Sequence, residues 1–223
     1  IEPNDSPERF RSLGVDVIFG AGTFVAPDAF VVNGRTLTAR TFVMATGSRP
    51  GIPPLPGLEQ TPYLTNETLF DLREPVPSLI VVGAGPVGCE MAQAFRRLGS
   101  EVTVVDIATQ ILPREDPDLA AVVFTALEAE GVRFRLGASI AGIAGRKGDV
   151  RVNLRAADGT PMELAGSHLL LAAGRTANVD NLGLDAAGVA LDKGRIVANE
   201  GLRTTNPNIY AIGDAAGGYQ FTH

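Results

Sequence analysis

The sequence predicts an α/β protein: a doubly wound domain with a parallel sheet and a β-meander, flanked by strips of a second domain. Three observations predict it. The wholly apolar run Leu79-Ile80-Val81-Val82 enters a glycine-rich loop that opens a helix, the pattern of a strand buried on both faces. Strand and helix patterns then alternate as β-α-β-α-β up to Leu136. On both sides lie short β-rich runs that do not share this alternation.

Taken in order, Val15-Asp16-Val17-Ile18-Phe19 is a short apolar run, followed by Phe24-Val25, Phe30-Val31-Val32 and Arg35-Thr36-Leu37-Thr38. Pro27-Asp28 and Asn33-Gly34 split the last three, and Asn-Gly between β-rich runs signals a hairpin, so the stretch reads as an antiparallel meander. Thr41 to Gly47 reads as a buried strand ending in a tight turn. Pro50 to Gly57 holds four prolines and two glycines, a stiff connection that marks a boundary, completed by Pro75 and Pro77. After the glycine loop a helix is expected to about Leu98, with Val87, Met91, Phe95 and Leu98 on one face and Gly99 as its stop. Glu101 to Asp106 is the next strand. Asp116 and Pro117 supply an N-cap and a first-turn proline for a helix with Leu119, Val122, Val123, Ala126 and Leu127 at helical spacing. Strands are expected at Val132–Leu136, Val150–Arg155, Met162–Leu164, Leu169–Ala173, Arg195–Val197 and Asn208–Asp214.

Bulk properties narrow the function. The net charge is -6 and no basic stripe is present, which argues against nucleic acid. No apolar stretch approaches the roughly 18 residues of a membrane span, and Ile1 to Asp5 shows no signal-peptide pattern, so a cytoplasmic protein is expected. Cys89 is the single cysteine, which excludes a disulfide within the chain and argues against a metal site. The chemistry must come mainly from a bound group. The chain opens without methionine and stops at Gln220-Phe221-Thr222-His223, and a longer polypeptide is expected.

That group is a dinucleotide. Gly83-Ala84-Gly85-Pro86-Val87-Gly88 matches G-x-G-x-x-G in the strand-to-helix context that gives the motif its value. Gly83 permits the sharp turn, Gly85 keeps side-chain atoms away from a pyrophosphate, and Gly88 lets the helix pack on the strand. The helix start offers unpaired N–H groups to phosphate. Asp106 ends the second strand, close to the ~20-residue spacing of an acid that binds a ribose 2′-hydroxyl. A carboxylate there repels a 2′-phosphate, and residues 107–113 contain no Arg or Lys, so NAD is favoured over NADP. The domain is therefore Rossmann-like and NAD-binding. An FAD fingerprint also ends in an acid; the 80 or so preceding residues, which read as the later part of another nucleotide domain, favour NAD.

Three further motifs join the loop: Ala45-Thr46-Gly47-Ser48-Arg49-Pro50, Gly174-Arg175-Thr176-Ala177-Asn178, and Thr204 to Asp214. In this order they resemble the pyridine nucleotide-disulfide oxidoreductases, which include dihydrolipoamide dehydrogenase, glutathione reductase and mercuric reductase. Thr65-Asn66-Glu67-Thr68, Gly88 to Gln93 and Tyr219 to His223 look closest to the mercuric-reductase-like branch. The resemblance implies a partial FAD-binding domain over 1–75, an NAD-binding domain over 76–176 and a truncated return segment to the FAD-binding domain over 177–223. It implies that Gly83, Gly85, Pro86, Val87, Gly88, Glu90, Asp106 and Gly174 serve NAD. It implies that Thr46, Gly47, Asp214, Phe221 and Thr222 serve FAD, with Asp214 on the ribityl chain. Glu90 matches a flavin-proximal glutamate, although a first-turn glutamate also suits a helix dipole.

Departures from the family pattern are equally informative. The FAD fingerprint, the redox cysteine pair and the C-terminal dimerisation domain with its His-Glu pair are not in this sequence, so no catalytic residue is assigned within it. Pro86 stands where some members carry an aromatic gate over the nicotinamide pocket. Cys89 and His168 read as structural, and Arg96-Arg97 as a solvated helix face. The role of the terminal His223 depends on sequence beyond it. The expected whole protein is a homodimeric flavoenzyme passing hydride from NADH to FAD and on to a disulfide or other acceptor. This chain alone is expected to bind NAD(H) weakly, hold FAD poorly and reduce no disulfide. Two alternatives are a flavoprotein reductase without paired cysteines, serving ferredoxin, oxygen or a quinone, and a non-enzymatic NAD sensor.

Overall fold

The computed structural model describes residues 2–218. The chain forms two compact units, one from residues up to Arg49 together with those from Ala177 onward, the other from Pro50 to Thr176.

The Pro50–Thr176 unit is built on a four-stranded parallel sheet. Its strand order is His168–Leu171, Ser78–Val82, Glu101–Val105, Arg133–Arg135. Strand residues alternate between two faces. Leu79, Val81, Val102, Val104 and Leu170 meet the helices Pro86–Arg97 and Pro117–Ala129 through Cys89, Ala92, Ala120 and Leu127. Ile80, Val82, Val105, Leu169 and Leu171 meet Ile143, Val150, Val152 and Leu154 of a three-stranded antiparallel meander. With both faces covered, the central strands have to be apolar throughout. The expected α/β architecture, a parallel sheet with helices and a β-meander, is present.

Several local expectations change. The meander has an additional strand, Ser139–Arg146, that the sequence pattern did not reveal. Its Ala- and Gly-rich composition has little strand propensity, and it is held by pairing with Asp149–Arg155 and by burial of Ile143. The helix Pro86–Arg97 buries its small residues Gly88, Cys89 and Ala92. Val87, Met91 and Phe95 are half-buried and Leu98 is 79% exposed, because the closest sheet approach selects the face without bulk. Likewise Pro117–Ala129 buries Ala120 and Leu127, while Leu119 (68%) and Val122 (69%) face outward. The Asp116 carboxylate caps this helix by accepting the Asp118 N–H at 2.9 Å, as its position suggested.

Arg96 is not part of a solvated face. Its Nε donates to the Glu130 carbonyl at 3.0 Å and its Nη1 to the Ser100 carbonyl at 3.1 Å, so it serves carbonyls near the ends of both helices. Arg97 is exposed and pairs with both oxygens of Glu130, at 2.8 and 2.7 Å. That pairing holds the Glu130 carboxyl below its ordinary pKa and the Arg97 guanidinium above its own.

The other unit begins with short helical turns and the meander Gly22–Ala26, Ala29–Val32, Arg35–Thr38. Asn33 and Gly34 both have positive φ, 50° and 74°, the geometry that an Asn-Gly hairpin turn requires. Val15–Phe19 joins no strand; the Phe19 carbonyl accepts the Asn33 Nδ2–H instead, at 2.6 Å. Phe42–Met44 pairs in parallel with Ile209–Ala211. This strand is not buried as expected, since a two-stranded pair covered on one side leaves Val43 outward at 58% exposure. Phe24, Met44, Leu184, Ile209 and Ala211 form the core of the unit. Phe24 packs edge-on against Phe30 and Phe42.

Candidate functional site

The glycine loop follows Ser78–Val82 at the carboxyl end of the parallel sheet, where ligands of open α/β sheets bind. Its three glycines stand in different environments. Gly83 has φ +109°, and a Cβ on it would lie 2.4 Å from the Ala172 carbonyl oxygen. A Cβ on Gly88 would lie 1.9 Å from the Gly83 carbonyl oxygen. Both are therefore demanded by the backbone itself. Gly85 has an ordinary φ of -73° and nothing within 4 Å of a Cβ. Its missing side chain keeps space open rather than relieving a clash. Gly85 is also the N-cap of the helix, with Pro86 at its first turn and no side chain capping the start. The first N–H groups of such a helix favour an anion.

Asp106 is brought directly to this loop. Its Oδ2 accepts the Ala84 N–H at 2.6 Å, and its Oδ1 accepts the Ala108 N–H at 2.8 Å. The loop is tied further by Gly83 N–H to the Val105 carbonyl at 2.9 Å and Leu112 N–H to the Ala84 carbonyl at 2.8 Å. The half-buried Asp106 is thus a loop anchor as well as a candidate ribose acceptor, a backbone role that spacing alone did not disclose.

Pro86 and Glu90 are exposed on the helix that starts here, and Val87 is half-buried. Cys89 lies beneath the loop, 6% exposed, with Sγ 3.4 Å from the Ala84 carbonyl. Burial, and then the nearby Asp106 carboxylate, push its thiol up to about 11. A thiol in that state is a core side chain and a poor nucleophile. Gly174, φ +128°, has a carbonyl that accepts the Gly51 N–H at 2.9 Å. Half-buried His168 opens its strand, its Nδ1 2.9 Å from Ser167 Oγ. Burial, then Lys147, lowers its pKa.

The unit containing Asp214 carries a second cluster. Phe42–Met44 and Ile209–Ala211 run parallel, and both continue into tight turns, with φ +66° at Gly47 and +61° at Gly213. Ser48 Oγ donates to Asp214 Oδ2 at 2.5 Å. Thr46 Oγ1 donates to the Asn178 carbonyl at 2.7 Å, and Asn178 Nδ2 donates to the Thr46 carbonyl at 2.9 Å. Arg49 reaches Asn178 Oδ1 at 3.1 Å and Asp180 Oδ2 at 2.6 Å. Thr46, Gly47 and Asp214 are thus organised by Ser48, Arg49, Asn178 and Asp180. Only their neighbourhood in Thr46–Arg49 and Asn178–Asp180 could have suggested those partners from sequence. Phe221, Thr222 and His223 lie outside the described residues, as does the whole of 219–223.

Among the described residues no group of three or more His, Cys, Asp or Glu is arranged to hold a metal ion, and no helix is long and apolar enough to cross a membrane.

Comparison with known proteins agrees with this architecture. A sequence model described as pyridine nucleotide-disulphide oxidoreductase matches residues 8–223. The chain is 36% identical over 219 residues to a dihydrolipoyl dehydrogenase of Chlamydia muridarum, covering 96% of this chain and 46% of that protein. It is 36% identical over 209 residues to a mercuric reductase of Lysinibacillus sphaericus, covering 93% and 38%. The solved structure of the HOCl-induced flavoprotein disulfide reductase RclA from Escherichia coli superposes with a TM-score of 0.85 at 33% identity, covering 96% of this chain and 50% of that one. The chain spans half or less of the length of these relatives. It belongs to the pyridine nucleotide-disulphide oxidoreductase family.

Proposed function

We propose that this chain is the NAD(H)-binding portion, with adjoining segments of the FAD-binding domain, of an NADH-dependent flavoprotein oxidoreductase. Asp106 against the glycine loop is the observation that carries the reading: a carboxylate at the end of the second strand, held to the loop by the Ala84 N–H at 2.6 Å. The local geometry suits a dinucleotide. Gly85 leaves open space before an uncapped helix start. Asp106 would accept a ribose hydroxyl and repel a 2′-phosphate, while Gly83 and Gly88 hold the loop in shape and Gly174 borders the nucleotide. Thr46, Gly47 and Asp214 fit a flavin's polyol chain as turn and acceptor, and their donor set is polar and glycine-lined. Phe221 and Thr222 would approach the flavin, and Glu90 would support it.

Bound together, the two cofactors supply hydride transfer from NADH to the flavin and onward to a disulfide or other acceptor. The residues here bind, orient and set the electrostatics. The redox cysteines and the acid-base pair of such a reaction would come from outside this chain, as would the surface for homodimerisation. On this reading the whole protein would be cytoplasmic. The isolated chain would then bind NAD(H) weakly and reduce no disulfide.

Calorimetric titration of the full-length protein with NADH and with NADPH tests the reading. Tighter binding of NADH, with that preference abolished in Asp106→Ala, is expected. Equal or tighter binding of NADPH to the unaltered protein would remove the NAD assignment.

A further inference from the structure

We propose that Ser48 is a positioning residue for Asp214, orienting its carboxylate toward a hydroxyl of a bound polyol chain, which on the reading above is the ribityl chain of FAD. The Ser48 hydroxyl donates to Asp214 Oδ2 at 2.5 Å across 166 residues of sequence. A carboxylate left to itself rotates in a broad torsional well, so its lone pairs do not aim anywhere in particular. One donor on a rigid turn defines its plane. Hydrogen bonds to an ionised acceptor are also the stronger kind.

The turn under Ser48 is rigid for identifiable reasons. Gly47, φ +66°, accepts the Asn178 N–H on its carbonyl at 2.9 Å. Thr46 exchanges two hydrogen bonds with Asn178, at 2.7 and 2.9 Å. Asp214 is set equally firmly: the Ile212 N–H donates to the Met44 carbonyl at 3.0 Å, and Ala215 is fully buried. Both turns leave the carboxyl ends of adjacent parallel strands, where ligands of such sheets bind. Neither Gly47 nor Gly213 has an atom within 4 Å of where a Cβ would stand. An acid, a hydroxyl and two unobstructed glycine turns form a donor and acceptor set suited to a hydroxylated chain.

The test uses the full-length protein and the isosteric pair Ser48→Thr and Ser48→Val, which differ by the hydroxyl. FAD affinity is measured by flavin fluorescence, with the visible flavin spectrum and the melting of flavin-free protein recorded alongside. Ser48→Thr should stay within about twofold of the unaltered protein, while Ser48→Val should lose FAD affinity about tenfold, as expected when a misaligned Asp214 forfeits one hydrogen bond to the polyol chain. The flavin spectrum should shift in the valine variant alone, and its flavin-free form should still melt cooperatively, lowered by no more than the loss of one hydrogen bond. Equal FAD affinity in the two variants overturns the proposal, and if Asp214→Ala still weakens FAD, the flavin reading survives without it. Absence of FAD binding in the unaltered protein overturns both. Should the valine variant not fold, Ser48→Ala against Ser48→Thr gives the same comparison.

Discussion

Asp106 accepts the Ala84 N–H at 2.6 Å, so the acid ending the second strand is bonded to the middle of the glycine loop. The same carboxylate accepts the Ala108 N–H at 2.8 Å, which makes it the shared acceptor of two turns. Removing it strands two amides in a half-buried site. Asp106→Ala should therefore cost about 1–3 kcal/mol of stability, besides any effect on nucleotide choice. Urea denaturation checks this. An unchanged midpoint would mean that water replaces the carboxylate at no cost.

The glycines of the loop should separate by mechanism. Gly88→Ala drives a Cβ to within 1.9 Å of the Gly83 carbonyl oxygen, backbone that cannot swing aside. A loss of about 3 kcal/mol or more, or failure to fold, is expected from such overpacking. Gly85→Ala meets nothing within 4 Å and should cost at most about 1 kcal/mol as a poorer N-cap. It should nevertheless weaken NADH binding about tenfold or more, because the new methyl occupies the approach to the helix start. Thermal melts and NADH titration of the two variants distinguish the cases.

Cys89 should be inert toward alkylating agents in the native protein at neutral pH and react fully on unfolding. Its folded pKa, about 11, is raised above the ordinary value of 9.0, chiefly by burial. A raised pKa favours the protonated form in the folded state. The associated stability is present in full below pH 9 and is lost as pH rises toward 11, by roughly 2–3 kcal/mol through linkage. Cys89→Ala should remove that slope from stability measured between pH 8 and 11.

Arg96 and Arg97 should behave differently despite being neighbours. Arg96→Ala leaves the Glu130 and Ser100 carbonyls without their guanidinium donor and should cost about 1–3 kcal/mol. Arg97 pairs with Glu130 on the surface, so Arg97→Ala should change stability little and only at low salt. Chemical denaturation at low and high salt compares them.

Much of this protein can be read along the chain because its signals are local. The strand Ser78–Val82, the turn at Gly83, the cap at Asp116 and the hairpin at Asn33-Gly34 each follow from the residues present at those positions. Hydrophobic run, positive φ and side-chain cap need no distant partner. The faces of the helices were less legible. Leu98, Leu119 and Val122 match a helical stripe, yet the sheet takes Gly88, Cys89, Ala92 and Ala120 instead. Close approach rewards small side chains as much as apolar ones, and which side approaches is a property of the assembled layers. Ser139–Arg146 was hidden for a related reason: its strand character lies in its partner.

By itself the sequence determined the alternating α/β order, the glycine loop with its acid and the family. These depend on motifs a few residues long and on their order. Only the tertiary structure decided that Asp106 anchors Ala84, that Ser48 holds Asp214, and that Arg96 serves two carbonyls rather than water. These contacts join residues 4 to 166 positions apart, through hydrogen bonds only a few ångströms long. Such distances are set by how strands align and turns close, which no local pattern encodes.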